Sequence, residues 1–338
     1  MSIKKCFLTL AVLCTALLNF VCVLGASPAA AAVPVKASTG CGSTVSVVNG
    51  QESFAFTAAG ETGSYIVEVP PDASVKHPLP LIIDLHGYSE TAAIQASFSA
   101  LGSYGSTHGF ITVTPQVNEA VQHWVITPGS ADQKFLGDLI THVTRTLCVD
   151  NHRVFVAGYS NGAFMASALA CSYADEIAAV ATVAGIQAPP GCHPTRPVPV
   201  IAFHGTADPF VPYQGGVGPA AKNLPAPNGV GTLGAHLDSK GVKGISASIL
   251  PIPTEGARWA ARNGCSKSPK ITNAASGVTL IAYKCPDNAT VELYRENGDG
   301  HVWAGSEAMV AIASIVGKTT FAISADQLMW KFFVVHPL

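Results

Sequence analysis

The 338-residue chain is 48% hydrophobic and only 12% charged, with a net charge of −2. Charged residues stand at about half their usual share, which excludes a disordered or supercharged protein. No long basic run is present to neutralise phosphates, which argues against a nucleic-acid partner.

From the amino terminus, Lys4 and Lys5 precede a nearly unbroken apolar run, Cys6 to Leu24, and small residues follow up to Ala30-Ala31-Ala32. That order predicts a secretory signal peptide over residues 1–32, with an uncleaved anchor as the competing reading. Residues 33–338 are then expected to form one catalytic domain of a secreted, extracellular protein. No later apolar stretch is long enough to span a bilayer, so stable membrane insertion is not expected. Three of the nine cysteines (Cys6, Cys14, Cys22) lie in the leader. The remaining six, in an oxidising compartment, favour disulfides. Their pairing is open. Proximity and flanking short runs favour Cys265–Cys285, then Cys171–Cys192, which leaves Cys41–Cys148. No Cys-x-x-Cys or His-Glu-x-x-His is present, so no metal and no cofactor is expected. Asn288-Ala289-Thr290 is a glycosylation sequon or a chance loop tripeptide.

After residue 60, short apolar runs alternate with longer helical patterns. Strands are predicted at Tyr65–Val69, Leu81–Leu85, Ile111–Thr114, Val154–Gly158, Ala179–Val183, Val198–Phe203 and Val291–Tyr294, with Thr279–Tyr283 as an extra one. Runs without polar alternation suit strands buried on both faces. Helices are predicted over Ala131–Thr146, Asn161–Tyr173, Glu255–Asn263 and Ala325–Phe333. The alternation implies an α/β domain with a mostly parallel sheet. Residues 215–244 are rich in Gly and Pro and read as a long loop or cap.

Four segments carry chemistry. Gly158-Tyr159-Ser160-Asn161-Gly162 lies between a strand and a helical run. Gly-x-Ser-x-Gly alone is a weak signal, but strand, tight turn and helix make the setting of a nucleophile elbow. The competing reading is a serine that only caps a helix. A serine hydroxyl needs a base, and the base needs an orienting acid, in the order Ser, Asp, His on such a fold. Asp208 follows the strand ending at His204-Gly205, where α/β enzymes place catalytic groups; the alternative is a plain Asp-Pro turn. His301, in Gly298-Asp299-Gly300-His301-Val302-Trp303, follows the last strand and is the expected base. Asp299 is a competing acid, expected to stay solvated or to pair locally. Leu85-His86-Gly87-Tyr88 ends an early strand, so the backbone N–H groups of Tyr88 and Asn161 are the expected oxyanion hole. His86 is expected to brace that loop. Tyr88, Trp124, Tyr159 and Trp303 are candidate substrate-binding aromatics, with core packing as the alternative.

These segments, in this order, resemble secreted α/β-hydrolase esterases of the feruloyl esterase and polyhydroxybutyrate depolymerase group, including carbohydrate esterase family one. The resemblance covers roughly residues 60–336 and extends to Trp259-Ala260-Ala261-Arg262-Asn263-Gly264-Cys265 and to Ile323–Phe333. It implies an α/β-hydrolase fold, Ser160 as nucleophile, Asp208 as acid and His301 as base. The implied activity is serine carboxylesterase, on feruloyl or acetyl esters of plant cell-wall polysaccharide. A polyester depolymerase is the alternative; a peptidase and a secreted non-catalytic binding protein are the rivals from other classes. Asp299 and Ala304 stand where the group usually has a glycine and a proline, so the substrate pocket is expected to differ.

Overall fold

The computed structural model describes residues 33–42, 50–239 and 249–338. The predicted signal peptide, 1–32, and the 240–244 end of the predicted cap lie outside the described residues. Residues 33–338 form one compact unit.

Ten strands make one sheet: β1 (Gly50–Ala58), β2 (Glu61–Val69), β3 (Leu79–Leu85), β4 (Ile111–Val117), β5 (Val149–Tyr159), β6 (Ala179–Val183), β7 (Val200–Gly205), β8 (Lys270–Ala275), β9 (Val278–Ala282) and β10 (Val291–Glu296), in the order β1-β2-β4-β3-β5-β6-β7-β10-β9-β8. The six central strands, β4 to β10 in that order, run parallel. Antiparallel pairs close each side.

The central strands read as continuous apolar runs because helices cover both faces. Alternate residues serve opposite cores. Leu81, Ile83, Val154 and Val156 pack on one side, against Phe135 and Leu139 of α3 (Ala131–Thr146), Met165 and Leu169 of α4 (Asn161–Ser172) and Trp259 of α7 (Ile252–Arg262). Ile82, Phe155 and Ala157 pack on the other, against Leu101 of α2 (Leu101–His108) and Met329 and Phe333 of α10 (Ala325–Val334). Helix starts carry their caps in the sequence: the Ser130 and Ser324 hydroxyls accept from the backbone N–H groups of Gln133 and Gln327.

The central predicted strands and all four predicted helices are present, with ends shifted by a few residues. Strands β1 and β8 were not predicted. Most of their side chains are exposed or half-buried, so no apolar run marks them. Helices α1 (Ala92–Ser99) and α2 were also not predicted, being short and rich in Ser, Ala and Gly. The Gly/Pro-rich segment is not wholly irregular. It holds α5 (Pro219–Lys222) and α6 (Leu233–Ser239), joined through a Pro225–Thr232 bridge. Short α8 (Glu307–Val310) and α9 (Ala313–Val316) follow β10. The sequon Asn288 is exposed, and its Nδ2 donates to the Pro337 carbonyl at 2.9 Å.

Among the described residues the disulfides are Cys265–Cys285 and Cys171–Cys192, the two favoured by proximity, and Cys41–Cys148, the one left by elimination. Cys41–Cys148 ties the first described segment to the start of β5, where Ser38 N–H also donates to Val149 at 2.8 Å. It closes the longest loop, 107 residues of separation. Replacing Cys41 and Cys148 together by Ser is therefore expected to lower the unfolding free energy by about 2–5 kcal/mol, measured by urea denaturation. An unchanged urea midpoint would count against that restraint.

Candidate active site

Four of the parallel strands aim their carboxyl ends at one edge of the sheet. His86 follows β3, Ser160 follows β5, and Asp208 and His301 lie on the loops after β7 and β10. Sheet order places β7 beside β10, which is why residues 93 apart in sequence meet.

Ser160 sits at φ 55°, ψ −116°, a conformation that strains an L-residue. Its N–H donates to Val183 O at 2.8 Å, and its carbonyl accepts from Ala163 and Phe164 of α4. The flanking glycines are dictated by close approach. A Cβ on Gly158 would stand 2.2 Å from the Gly162 carbonyl oxygen, and one on Gly162 would stand 2.2 Å from that of Leu85. The elbow closes only without those side chains.

Asp208 and His301 are in direct contact. His301 Nδ1 lies 2.7 Å from Asp208 Oδ2. With a carboxylate as partner, Nδ1 carries the proton and donates, which leaves Nε2 unprotonated. Asp208 Oδ1 accepts from the N–H groups of Phe210 and Val211 at 2.8 and 2.9 Å. Burial alone would push the Asp208 carboxyl up. The charges and hydrogen bonds of His301, His204 and Val211 outweigh it and hold the group below its usual value. His204 Nε2 lies 2.8 Å from Val211 O and 3.3 Å from Asp208 Oδ2. Both neighbours are acceptors, so Nε2 bears the proton. Burial pulls the His204 imidazole down in pKa, keeping it neutral.

Ser160 and His301 line the same cavity, of about 230 Å³, without a direct hydrogen bond between their side chains. Such contacts commonly tighten only when substrate binds. The His301 ring is held between Tyr159 and Phe210, each with ring centroids 4.9 Å away.

The backbone N–H groups of Tyr88 and Asn161 donate to no protein acceptor among the described residues. Free donors on a turn and at the start of α4 suit a developing oxyanion. The turn is braced from behind. His86 Nδ1–H donates to Gly87 O at 2.7 Å, and its ring lies 4.6 Å from that of Trp124. Burial lowers the His86 pKa to about 4, so the ring is neutral. Trp124 Nε1–H donates to His86 O at 2.9 Å, and the Asn161 side chain holds both backbone groups of Trp124.

Two candidate substrate aromatics do not reach the cavity. Trp124 and Trp303 are 2% and 1% exposed, with Trp303 Nε1–H donating to Asp326 at 2.7 Å. A buried indole must satisfy its N–H in the core, and both do. Tyr159 lines the cavity, but its hydroxyl is spent on His301 O at 2.7 Å. Tyr88 lines it too, with its hydroxyl donated to Pro225 O at 2.9 Å. Asp299 is not solvated. It is 2% exposed and lies 3.7 Å from Lys318 Nζ. Sequence reading missed Glu90 and Phe210 as cavity residues and His204 as a partner of Asp208. The spacing His204 to Asp208 at a strand end was the available signal for the last. Among the described residues, no group of three or more His, Cys, Asp or Glu is arranged to hold a metal ion.

Residues 106–224 match the phospholipase/carboxylesterase family model. The probable feruloyl esterase C of Aspergillus flavus is 32% identical over 243 residues, covering 67% of this chain and 85% of that protein. Feruloyl esterase B of Piromyces equi is 28% identical over 246 residues, 70% of this chain but 42% of its own length. The chain thus spans less than half of that relative. Among solved structures, an acetyl xylan esterase from Aspergillus awamori superposes with a TM-score of 0.55 at 15% identity, covering 83% of this chain and 99% of that one. At that identity the likeness is one of fold.

Trp124→Phe keeps an aromatic ring but leaves the buried His86 carbonyl short of a donor. It is expected to cost about 1–3 kcal/mol, read from urea melts. A stability equal to wild type would remove Trp124 as the brace of this turn.

Proposed function

Because the chain belongs to the feruloyl esterase family of α/β-hydrolases, we propose that it is a secreted serine carboxylesterase acting on feruloyl, or acetyl, esters of plant cell-wall polysaccharide. The observation that carries this reading is a single cavity onto which Ser160 and His301 open, with Asp208 bonded to the far nitrogen of that histidine.

In the proposed reaction, Ser160 Oγ attacks the ester carbonyl carbon and His301 Nε2 takes the hydroxyl proton. Asp208 holds the ring in the Nδ1–H tautomer and stabilises the imidazolium that forms. The carbonyl oxygen, now negative, accepts from the N–H groups of Tyr88 and Asn161. Collapse breaks the bond to the alcohol, which leaves with the proton from His301. Water, deprotonated by His301, then cleaves the acyl-serine and restores the hydroxyl. The cavity walls, among them Phe98, Tyr159, Phe210, Leu224 and Ile312, are apolar and favour an acyl group over a sugar. The sugar would remain outside. Export is part of the proposal, and three disulfides suit an oxidising compartment.

The test is hydrolysis of methyl ferulate beside p-nitrophenyl butyrate. Cleavage of both is expected. Cleavage of butyrate alone would move the substrate toward short-chain or polyester acyl groups. Cleavage of neither by folded protein would overturn the esterase reading. Ser160→Ala is expected to lower kcat by about 10⁶-fold with an unchanged far-UV dichroism spectrum. Asp208→Asn, which disturbs the histidine tautomer, is expected to lower it by about 10⁴-fold. Rapid turnover by a clean Ser160→Ala sample would refute the nucleophile.

A further inference from the structure

Among the described residues, the one carboxyl lining the cavity has no part in the proposed reaction. Glu90 lies two residues beyond Tyr88 and lines the same space as Ser160 and His301. Its Oε2 accepts the Gly87 N–H at 2.8 Å, and the Glu90 N–H closes the turn onto Gly87 O. Its Oε1 makes no hydrogen bond and no ion pair among the described residues. A carboxyl spent on one oxygen and free on the other, inside an apolar pocket, is placed to meet a ligand.

We propose that Glu90 determines acyl specificity, its Oε1 pairing with an oxygen substituent of the acyl group, so that the cavity takes a compact, uncharged, oxygen-bearing acyl group in preference to a bare hydrocarbon one. The proposal rests on the serine-esterase reading of this cavity. A volume of about 230 Å³ suits a single small group, short of drug size.

The direction of the hydrogen bond follows from the surroundings. Burial pushes the Glu90 carboxyl up to about 8, against the pull of the Gly87 N–H and helped by Asp84. The titratable groups facing it are Asp84 on β3, itself raised to about 7, Tyr159 on β5, and Tyr88 and His301 lining the cavity. Tyr159 gives its proton to His301 O and has none for Glu90. At neutral pH the carboxyl is therefore mostly protonated. With Oε2 accepting from Gly87, the proton belongs on Oε1. The acyl oxygen acts as acceptor, so an ether oxygen serves as well as a hydroxyl. Once Glu90 ionises, the donor is gone and the advantage of an ether oxygen goes with it.

The test uses the intact protein and three probes: methyl cinnamate, methyl 3-methoxycinnamate and methyl 4-methoxycinnamate, near pH 6.5 and again near pH 9.5. The ratio of kcat/KM values cancels the titration of the catalytic histidine. At the lower pH, at least one methoxy ester is expected to exceed methyl cinnamate by about 10-fold, the worth of one neutral hydrogen bond. At the higher pH the ratio is expected to fall toward one. Glu90→Gln, whose amide donates at both pH values, is expected to hold the preference throughout. Glu90→Leu is expected to show none at either. A methoxy preference that survives in Glu90→Leu overturns the proposal, as does a Glu90→Gln ratio that falls with pH like wild type. Hydrolysis of p-nitrophenyl acetate, followed at each pH, separates this from failure of the esterase reading. If that ester is cleaved and no methoxy preference is found, the role of Glu90 is wrong. If it is not cleaved by folded protein, the serine reading falls first and the proposal with it.

Discussion

The site depends on one buried carboxylate and the donors gathered on it. Asp208 is 5% exposed, and a charge so placed costs several kcal/mol unless it is paired. Three hydrogen bonds meet that cost, from the N–H groups of Phe210 and Val211 on Oδ1 and from His301 on Oδ2, while the neutral His204 ring stands 3.3 Å from Oδ2. The two backbone donors come from the turn that follows β7. The two imidazoles come from the end of β7 itself and from the loop after β10. The carboxylate therefore ties together two loops that only sheet order makes neighbours. His301 inherits its position and tautomer from this arrangement.

The side proposed to hold the oxyanion is built on the opposite principle, by neutral groups that close a turn from behind. His86 and Trp124 are both buried, and each donates to a backbone carbonyl of the turn. The Asn161 side chain clamps Trp124 while its own N–H remains free. In the proposed reaction one residue would thus supply a donor to the reacting centre and fix the loop that carries the other donor. The tight crossing of Gly158 and Gly162 sets the height of Ser160 between the two sides. Strain at Ser160 is stored in a turn that the sheet and α4 hold from both ends.

Around this centre lie carboxyls that burial pushes toward the neutral form. Asp84 and Asp326 are raised to about 7 and Glu90 to about 8, and Glu296 is pushed well above its ordinary value. Groups raised in the fold stabilise it fully below their unfolded pKa and lose that contribution as pH rises through the folded one. Asp208, lowered in the fold, contributes above its unfolded pKa and loses that as pH falls through its folded value. The two kinds pull in opposite directions. In the fold Asp208 stays charged to below the ordinary carboxylate range, while Asp84, Asp326 and Glu90 are mostly protonated only below about neutral pH, and between those limits the site keeps both its charged acid and its neutral ones.

The sequence alone determined the central sheet, because strands covered on both faces must be apolar at every position, and it determined the elbow, because its glycines answer to backbone contacts within one turn. It also carried the order of Ser160, Asp208 and His301, since each follows an apolar run that ends where a strand ends. The edge strands β1 and β8 were not legible, because their half-exposed side chains follow no apolar period. The aromatics were the larger difficulty. Trp124, Tyr159 and Trp303 have the same local signature, and hydrophobicity reports burial without saying whether a buried ring faces the core or a cavity. Only the tertiary structure separated them, setting Tyr159 on the cavity wall and both indoles behind it. It alone showed Asp208, the acid that the chain order suggested, in contact with His301, and brought Glu90 into the cavity. These outcomes turn on distances between loops whose sequences are far apart. No local pattern encodes such distances; the packing order of the parallel strands does.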